Sequence, residues 1–148
     1  MNCLILKRQP PTFNAWKKAT VIKKDTYKAQ LAEALETYNP SYNLLTDELY
    51  GKVYHFFNED LKIDADNLSK PLWDSLKNIL FNDDYQVKLR HAGSFNLQKN
   101  DITILNLSGL SGEVIIDLLD AFETEDHVLY VECGRLHYSM FTFNSERP

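Results

Sequence analysis

Hydrophobic side chains recur at two spacings, and these predict the secondary structure. A spacing of three and four residues predicts helices over residues 24–38, 67–80 and 111–125. Short segments rich in β-branched and aromatic residues predict strands. These are residues 2–8, 48–57, 61–66, 85–91, 101–107, 127–132 and 135–143, the last two as a hairpin around Cys133 and Gly134. Residues 12–24 show no clear period and are predicted to form a basic loop.

The order of these elements predicts an α/β or α+β fold with one mixed β-sheet flanked by about three helices. A chain of 148 residues suits a single domain, so residues 1–148 are expected to share one core. Trp73 belongs to the apolar side of the helix predicted over residues 67–80, and we expect it in that core.

The charge is unevenly distributed, although the net charge of −5 does not by itself indicate a nucleic-acid binder. Residues 1–30 hold seven basic side chains and one acidic side chain, whereas residues 101–148 hold two basic and nine acidic ones. Charge runs are usually solvated surface, but a basic segment in an acidic chain also suggests contacts with phosphates.

Cys3 and Cys133 are too far apart in sequence to form a CxxC pair, and the four histidines lack metal-ligand spacing. Two scattered cysteines fit a reduced cytoplasm. The apolar run near the N-terminus has four residues, which is too short for a signal peptide or a membrane span. We therefore expect a cytoplasmic protein without a membrane segment, in which His55 and His137 are structural.

Acidic side chains cluster between residues 64 and 87. Asp64 and Asp66 are two residues apart, so at the end of a strand they would share one face. Carboxylate oxygens suit Mg²⁺ or Mn²⁺, and such an ion serves phosphodiester hydrolysis. An EF-hand is excluded because Leu68 and Ser69 occupy positions that need an oxygen ligand and a glycine.

Two other features of this segment have alternative interpretations. Lys70 precedes Asp74 by one helical turn, which is typical of an exposed ion pair, but its ammonium could also stabilise charge at a phosphate. Asp83 and Asp84 form either a solvated turn or part of a metal site.

The string D-x-D-N-x-x-K-x-x-x-D-x-L followed by D-D-x-x-V resembles the RusA-type Holliday junction resolvases. A second motif of that family, P-P-x-x-N, is similar to "PPTFN", and the resemblance covers roughly residues 5–90. The matching positions are Asp64, Asp66, Asn67, Lys70, Asp74, Leu76, Asp83, Asp84, Val87, Pro10, Pro11 and Asn14.

This resemblance implies a Mg²⁺-dependent homodimer that makes paired nicks in four-way DNA junctions. It implies metal binding by Asp64, Asp66 and Asp84, catalysis by these three residues with Lys70, and supporting or capping roles for Asn67 and Asp83. Residues 105–148 lie beyond the resemblance, and they could form a regulatory lid, a dimer element or part of the sheet.

The basic segment supplies the candidate DNA contacts. They are Asn14, Trp16, Lys17, Lys18, Lys23 and Lys24. An aromatic ring beside lysines can stack on a base, but Trp16 could equally pack on the core.

Two other functions use the same residues. A different Mg²⁺-dependent phosphohydrolase that cleaves nucleotides would need the carboxylates but not the basic segment. A non-catalytic DNA-binding or interaction module of the same fold would not need the carboxylates.

The predicted helix over residues 67–80 also bears on how the site is assembled. It leaves only Asn82 and Asp83 free to carry Asp84 back towards Asp66, and two residues span at most about 7–10 Å. We therefore hypothesise a composite site, in which Asp84 of one subunit joins Asp64 and Asp66 of the other.

Overall fold

The computed structural model describes residues 1–143, which form a mixed four-stranded sheet with four helices. The strands are β1 (Asn2–Leu6), β2 (Leu49–Phe57), β3 (Val87–Asn96) and β4 (His127–Arg135), in the spatial order β1-β4-β2-β3. β2 runs parallel to β3, and β4 runs antiparallel to both β1 and β2. The prediction of an α+β fold around one mixed sheet is confirmed.

The helices are α1 (Phe13–Lys18), α2 (Val21–Tyr38), α3 (Asp66–Leu76) and α4 (Gly112–Thr124). The basic segment predicted as a loop is therefore helical, and that prediction is wrong. Two threonines explain the helices, because the hydroxyls of Thr12 and Thr20 each accept a hydrogen bond, at 3.2 Å, from a backbone N–H of the first turn. A six-residue helix is too short to show a hydrophobic period.

Helices cover both faces of the sheet. On one face, α1, α2 and α3 bury Trp16, Leu31 and Trp73 against strand residues such as Val53 and Val131. On the other, α4 packs mainly through Leu118 and Phe122 against Phe56 and Tyr130. Successive residues of a strand point to opposite faces, so β4 contributes alternately to the two cores.

Trp73 is fully buried, which confirms its predicted place in the core. Its ring lies directly against Gly51 of β2, where an added Cβ would come within 2.4 Å of the indole. Because that distance is far below van der Waals contact, α3 can approach the sheet this closely only with glycine at residue 51.

Three predicted strands are absent. Residues 61–66 form the end of a loop and the first residue of α3; residues 101–107 contain a short 3₁₀ turn over Ile102–Ile104; and residues 135–143 contain another over Tyr138–Met140. The predicted hairpin is absent because β4 continues through Cys133 and Gly134, which pair with β2. The predicted helix over residues 67–80 ends earlier, at Leu76.

The segment from residue 105 onwards, of which the structure describes residues 105–143, is part of the sheet. It supplies α4 and β4, and β4 lies between β1 and β2. Of the three roles considered for this segment, the structure therefore shows the third. Within residues 1–143, no helix has the length and apolar character needed to cross a lipid bilayer.

Candidate active site

Asp64 and Asp66 lie where the loop after β2 enters α3. The Asp64 carboxylate accepts a hydrogen bond from the Asp66 N–H at 3.1 Å, and the Asp64 carbonyl accepts one from the Asn67 N–H at 3.1 Å. Both aspartates are exposed, and no salt bridge within residues 1–143 includes either. One Asp64 oxygen and the whole Asp66 carboxylate thus remain available to a ligand, beside the positive end of the helix dipole.

Lys70 lies one turn further along α3 than Asp66, on the exposed side of the helix. Its ammonium is 3.3 Å from the Asp74 carboxylate, which is the ion pair predicted as one of two alternatives. The Lys70 side chain is 56% exposed, so the pair is worth well under about 1 kcal/mol. The ion pair therefore restrains Lys70 only weakly, and it does not prevent the ammonium group from contacting a phosphate.

Asp83 caps a 3₁₀ turn that begins at Asp84. Its carboxylate accepts a hydrogen bond from the Tyr85 N–H at 2.9 Å, and the Gln86 side chain accepts one from the Asp83 N–H at 3.0 Å. The Tyr85 N–H, with further help from nearby Lys77, holds the pKa of the Asp83 carboxyl below its ordinary value. The capping role predicted for Asp83 is confirmed.

Arg90, which the sequence interpretation missed, holds Asp84 in place. Its guanidinium lies 3.4 Å from the Asp84 carboxylate and donates hydrogen bonds to the carbonyl oxygens of Asp84, at 2.8 Å, and Val87, at 3.2 Å. These contacts fasten the 3₁₀ turn to β3. The only signal in the sequence is an arginine six residues after an acidic pair, which does not show that the two meet.

Asp66 and Arg90 line the same open pocket, which has a volume of about 630 Å³. The pocket lies beside β3, which pairs only with β2 in the described part of the chain. Ser69, one helical turn after Asp66, also lines it. Arg90 therefore contacts one of the predicted metal ligands, Asp84, and shares a pocket with another, Asp66.

Within residues 1–143, no group of three aspartate, glutamate, histidine or cysteine side chains is arranged to hold one metal ion. Asp64, Asp66 and Asp84 therefore do not form a complete three-carboxylate site within a single described chain. The free oxygens of Asp64 and Asp66 still suit Mg²⁺, which takes one or two carboxylates together with water and substrate phosphates. Asp84 differs because its carboxylate already contacts Arg90.

The distance argument for a composite site assumed a longer helix than the structure shows. α3 has eleven residues and is about 16 Å long, but it ends at Leu76 and leaves seven residues, 77–83, before Asp84. Those residues are not extended, because the Leu80 N–H donates to the Leu76 carbonyl oxygen at 2.9 Å and the Asn78 N–H donates to the Phe81 carbonyl oxygen at 2.7 Å. The chain length alone therefore does not decide whether Asp84 reaches Asp66. The composite site stays a hypothesis that needs its own test.

The basic corner, by which we mean α1, residues 19 and 20 and the first turn of α2, carries the predicted DNA contacts. Asn14, Lys17, Lys18 and Lys23 are exposed and Lys24 is half-buried. Trp16 differs, because it is only 7% exposed and packs edge-on against Tyr27 with ring centroids 5.7 Å apart. The structure therefore places Trp16 in the core and removes it from the candidate DNA contacts.

His55 is completely buried, as expected for a structural histidine, and is linked to two further side chains. Its Nε2 lies 3.0 Å from His127 Nδ1, and His127 Nε2 lies 3.2 Å from a Glu59 carboxylate oxygen. Burial, with a smaller effect of His127, lowers the pKa of His55 to about 4. His137 is exposed at the start of a 3₁₀ turn, not in a strand.

Comparison with protein families gave a match that covers the residues of the candidate site. The model of the family described as endodeoxyribonuclease RusA matches residues 8–105. The matched residues include the basic corner, Asp64, Asp66, Lys70, Asp84 and Arg90, but not α4 or β4. No curated protein matches the chain.

Proposed function

Because the chain belongs to the endodeoxyribonuclease RusA family, we propose that it resolves four-way DNA junctions by Mg²⁺-dependent, paired cleavage of phosphodiester bonds. The observation that supports the site most directly is the pocket shared by Asp66 and Arg90, with Asp84 fastened to the same arginine. The pocket brings one carboxylate that could bind a metal ion and one cation that could bind a phosphate to the same part of the surface.

Asp64 and Asp66 would hold the metal ion through the oxygens that are free of internal contacts. In a composite site, Asp84 of the partner subunit would be the third carboxylate ligand. Mg²⁺, or Mn²⁺ in its place, would supply a bound water of lowered pKa and neutralise charge at the phosphate. The hydrogen bond that the Asp64 carboxylate accepts from the Asp66 N–H would hold the Asp64 side chain beside the start of α3 before the ion arrives.

Two cations would act on the DNA phosphate. Arg90 lines the pocket, and its Nη1, the guanidinium nitrogen that contacts neither Asp84 nor Val87, would donate to a phosphate. Lys70 would leave Asp74 and stabilise the negative charge that develops during cleavage. This exchange costs little, since the Lys70–Asp74 pair is solvent-exposed.

The DNA would lie across the basic corner. α1 and α2 both contact α3, whose first residue is Asp66, so the lysines belong to the same helical layer as the candidate active site. Within residues 1–143, none of the salt bridges includes Lys17, Lys18, Lys23 or Lys24. Their charges can therefore neutralise phosphates without first breaking an ion pair.

A homodimer suits this reaction because a four-way junction has two-fold symmetry. Two equivalent cuts require two active sites related by the same symmetry axis, which an isologous dimer provides. Mixing Asp66→Asn and Asp84→Asn subunits tests the composite site. Such a mixture should cleave only if Asp66 and Asp84 act together across the interface, and it should be inactive if each site belongs to one chain.

The proposal is tested with a synthetic four-way junction and a linear duplex of the same sequence, each with and without Mg²⁺. We expect symmetric nicks near the branch point of the junction with Mg²⁺, and no cleavage of the duplex. An enzyme that instead hydrolyses free nucleotides, or one that binds the junction without cutting it, would contradict the proposal.

A further inference from the structure

Two large apolar side chains extend into solvent from the basic corner. Val21 and Ile22, the first two residues of α2, are 73% and 78% exposed. They stand between Lys17 and Lys18 on one side and Lys23 and Lys24 on the other. Single exposed apolar residues are common, but two adjacent ones amid four lysines form a distinct surface.

The backbone holds these side chains rigidly. The Thr20 hydroxyl accepts a hydrogen bond from the Lys23 N–H, and the Ala19 N–H donates one to the Trp16 carbonyl at 3.2 Å. Further along α2, Tyr27 and Leu31 are buried in the core. The exposed pair is thus presented by a fixed helix end, so binding a partner through it costs little conformational entropy.

Positively charged side chains and a pocket lie next to Val21 and Ile22. Ile22 lines a pocket of about 540 Å³ together with Trp16, Lys18, Lys23 and Arg8. Arg8 lies over the Tyr27 ring, 5.2 Å from its centroid, and Lys24 lies over the Trp16 ring. A partner that fits here must offer both negative charge and an apolar surface.

Branched DNA has both properties. Its phosphates carry the charge, and at the branch point the arms can unstack, which exposes base faces there more readily than within a continuous duplex. Proteins that distort DNA commonly place apolar side chains such as leucine or isoleucine against unstacked base steps. In linear duplex DNA these faces are covered by neighbouring bases.

We propose that Val21 and Ile22 form an apolar wedge that packs against unstacked bases at the branch point of a DNA junction. This inference rests on the proposed junction-cleaving function and adds to it. The lysines supply affinity for any DNA through phosphates, whereas the wedge supplies the preference for branched over linear DNA.

The test uses the double variant Val21→Ser/Ile22→Ser in a non-cleaving Asp66→Asn background. Junction and duplex affinities are measured over a range of salt concentrations, and 2-aminopurine at the branch point reports base unstacking by its fluorescence. We expect junction affinity to fall roughly tenfold at every salt concentration, because an apolar contact is lost. Duplex affinity should change by less than about twofold, since the phosphate contacts remain.

The matched control is Ile116→Ser/Leu119→Ser, which removes two exposed apolar side chains of α4 on the opposite face of the sheet. It should leave both affinities and the fluorescence rise unchanged. The wedge is contradicted if the Val21→Ser/Ile22→Ser variant keeps the fluorescence rise and the preference for the junction. Wild-type protein that neither binds nor cleaves the junction would contradict the proposed function itself, and the wedge with it.

Discussion

The Arg90 guanidinium lies 3.4 Å from the Asp84 carboxylate and 2.8 Å from the carbonyl oxygen of the same residue. One arginine thus fixes both the backbone and the side chain of a proposed metal ligand, while it lines the pocket that contains Asp66. Arg90 therefore links Asp84, which follows α3 in the chain, to the pocket that Asp66 lines at the start of α3.

Replacing Arg90 by lysine should reduce cleavage while leaving the fold intact. A lysine cannot bridge the carboxylate and the carbonyl oxygen of Asp84 at the same time. We expect kcat for junction cleavage to fall by about 10- to 100-fold and the Mg²⁺ concentration for half-maximal rate to rise. The pair is only partly exposed and Arg90 also donates to two backbone carbonyl oxygens, so the free energy of unfolding should fall by about 1–3 kcal/mol.

Lys88→Ala is the control for that experiment, because Lys88 is also an exposed cation of β3 but stacks on Tyr85 instead of contacting Asp84. Its Mg²⁺ dependence should match that of the wild type. If Arg90→Lys shows the same Mg²⁺ dependence and rate as Lys88→Ala, the positioning role of Arg90 is wrong.

Replacing Lys70 and replacing Asp74 should affect the cleavage rate differently, although the two residues form one ion pair. Lys70→Ala should remove most of the cleavage rate, because a cation at the developing charge is lost. Asp74→Asn only frees Lys70, so it should retain cleavage and lower the stability by about 0.5 kcal/mol or less. Single-turnover rates and urea unfolding measure both effects, and equal loss of rate in the two variants would show that the pair has a structural role.

The basic corner should determine how strongly binding depends on salt. Replacing both Lys17 and Lys18 by alanine should flatten the log–log slope of junction affinity against salt by roughly two units, at about 0.9 per phosphate contact. Lys99→Ala, which removes a lysine paired with Asp60, serves as the control and should leave the slope unchanged. An unaltered slope in the double variant would place the DNA elsewhere.

The buried histidine should make the fold sensitive to mild acid. The pKa of His55 is about 4 in the folded protein and about 6.5 when unfolded, so the folded state disfavours the protonated form. The contribution of neutral His55 to the free energy of unfolding is therefore fully present above pH 6.5. It is lost, by up to about 3 kcal/mol, as the pH falls towards 4. Urea unfolding of wild type and His55→Phe at pH 7 and pH 5 measures it.

In that experiment His55→Phe should lose less stability between the two pH values than wild type. The exposed His91 and His137 provide the control, since their joint replacement by glutamine should preserve the wild-type difference. If His55→Phe keeps the full difference as well, groups other than His55 cause the acid sensitivity.

Features that depend on local patterns were predictable from the sequence. The apolar side of α3 carries Leu68, Leu72 and Leu76 at helical spacing, and all three are buried as the pattern indicates. For Asp83 the resemblance implied a supporting or capping role, and the structure shows the capping. The exact end of α3 did not follow, because the apolar positions continue to Leu80 although Lys77 has already left the helix.

Features that depend on distant contacts were not predictable. Nothing near residue 130 shows that β4 inserts between β1 and β2, since its strand pattern would equally suit a hairpin with the residues that follow. The Arg90–Asp84 contact and the burial of Trp16 against Tyr27 also arise only when separate elements pack together. α1 could not be recognised within the basic segment, because the start of this helix depends on a threonine cap and not on a period of apolar residues.

The most direct test of the account is cleavage of a labelled four-way junction by wild type and by Asp66→Asn, with junction binding measured in parallel. The account predicts that wild type makes symmetric nicks only when Mg²⁺ is present. Asp66→Asn should bind the junction at least as tightly, because a negative charge near phosphate is removed, yet make no nicks. Full cleavage by Asp66→Asn, or no cleavage by wild type with Mg²⁺, would contradict it.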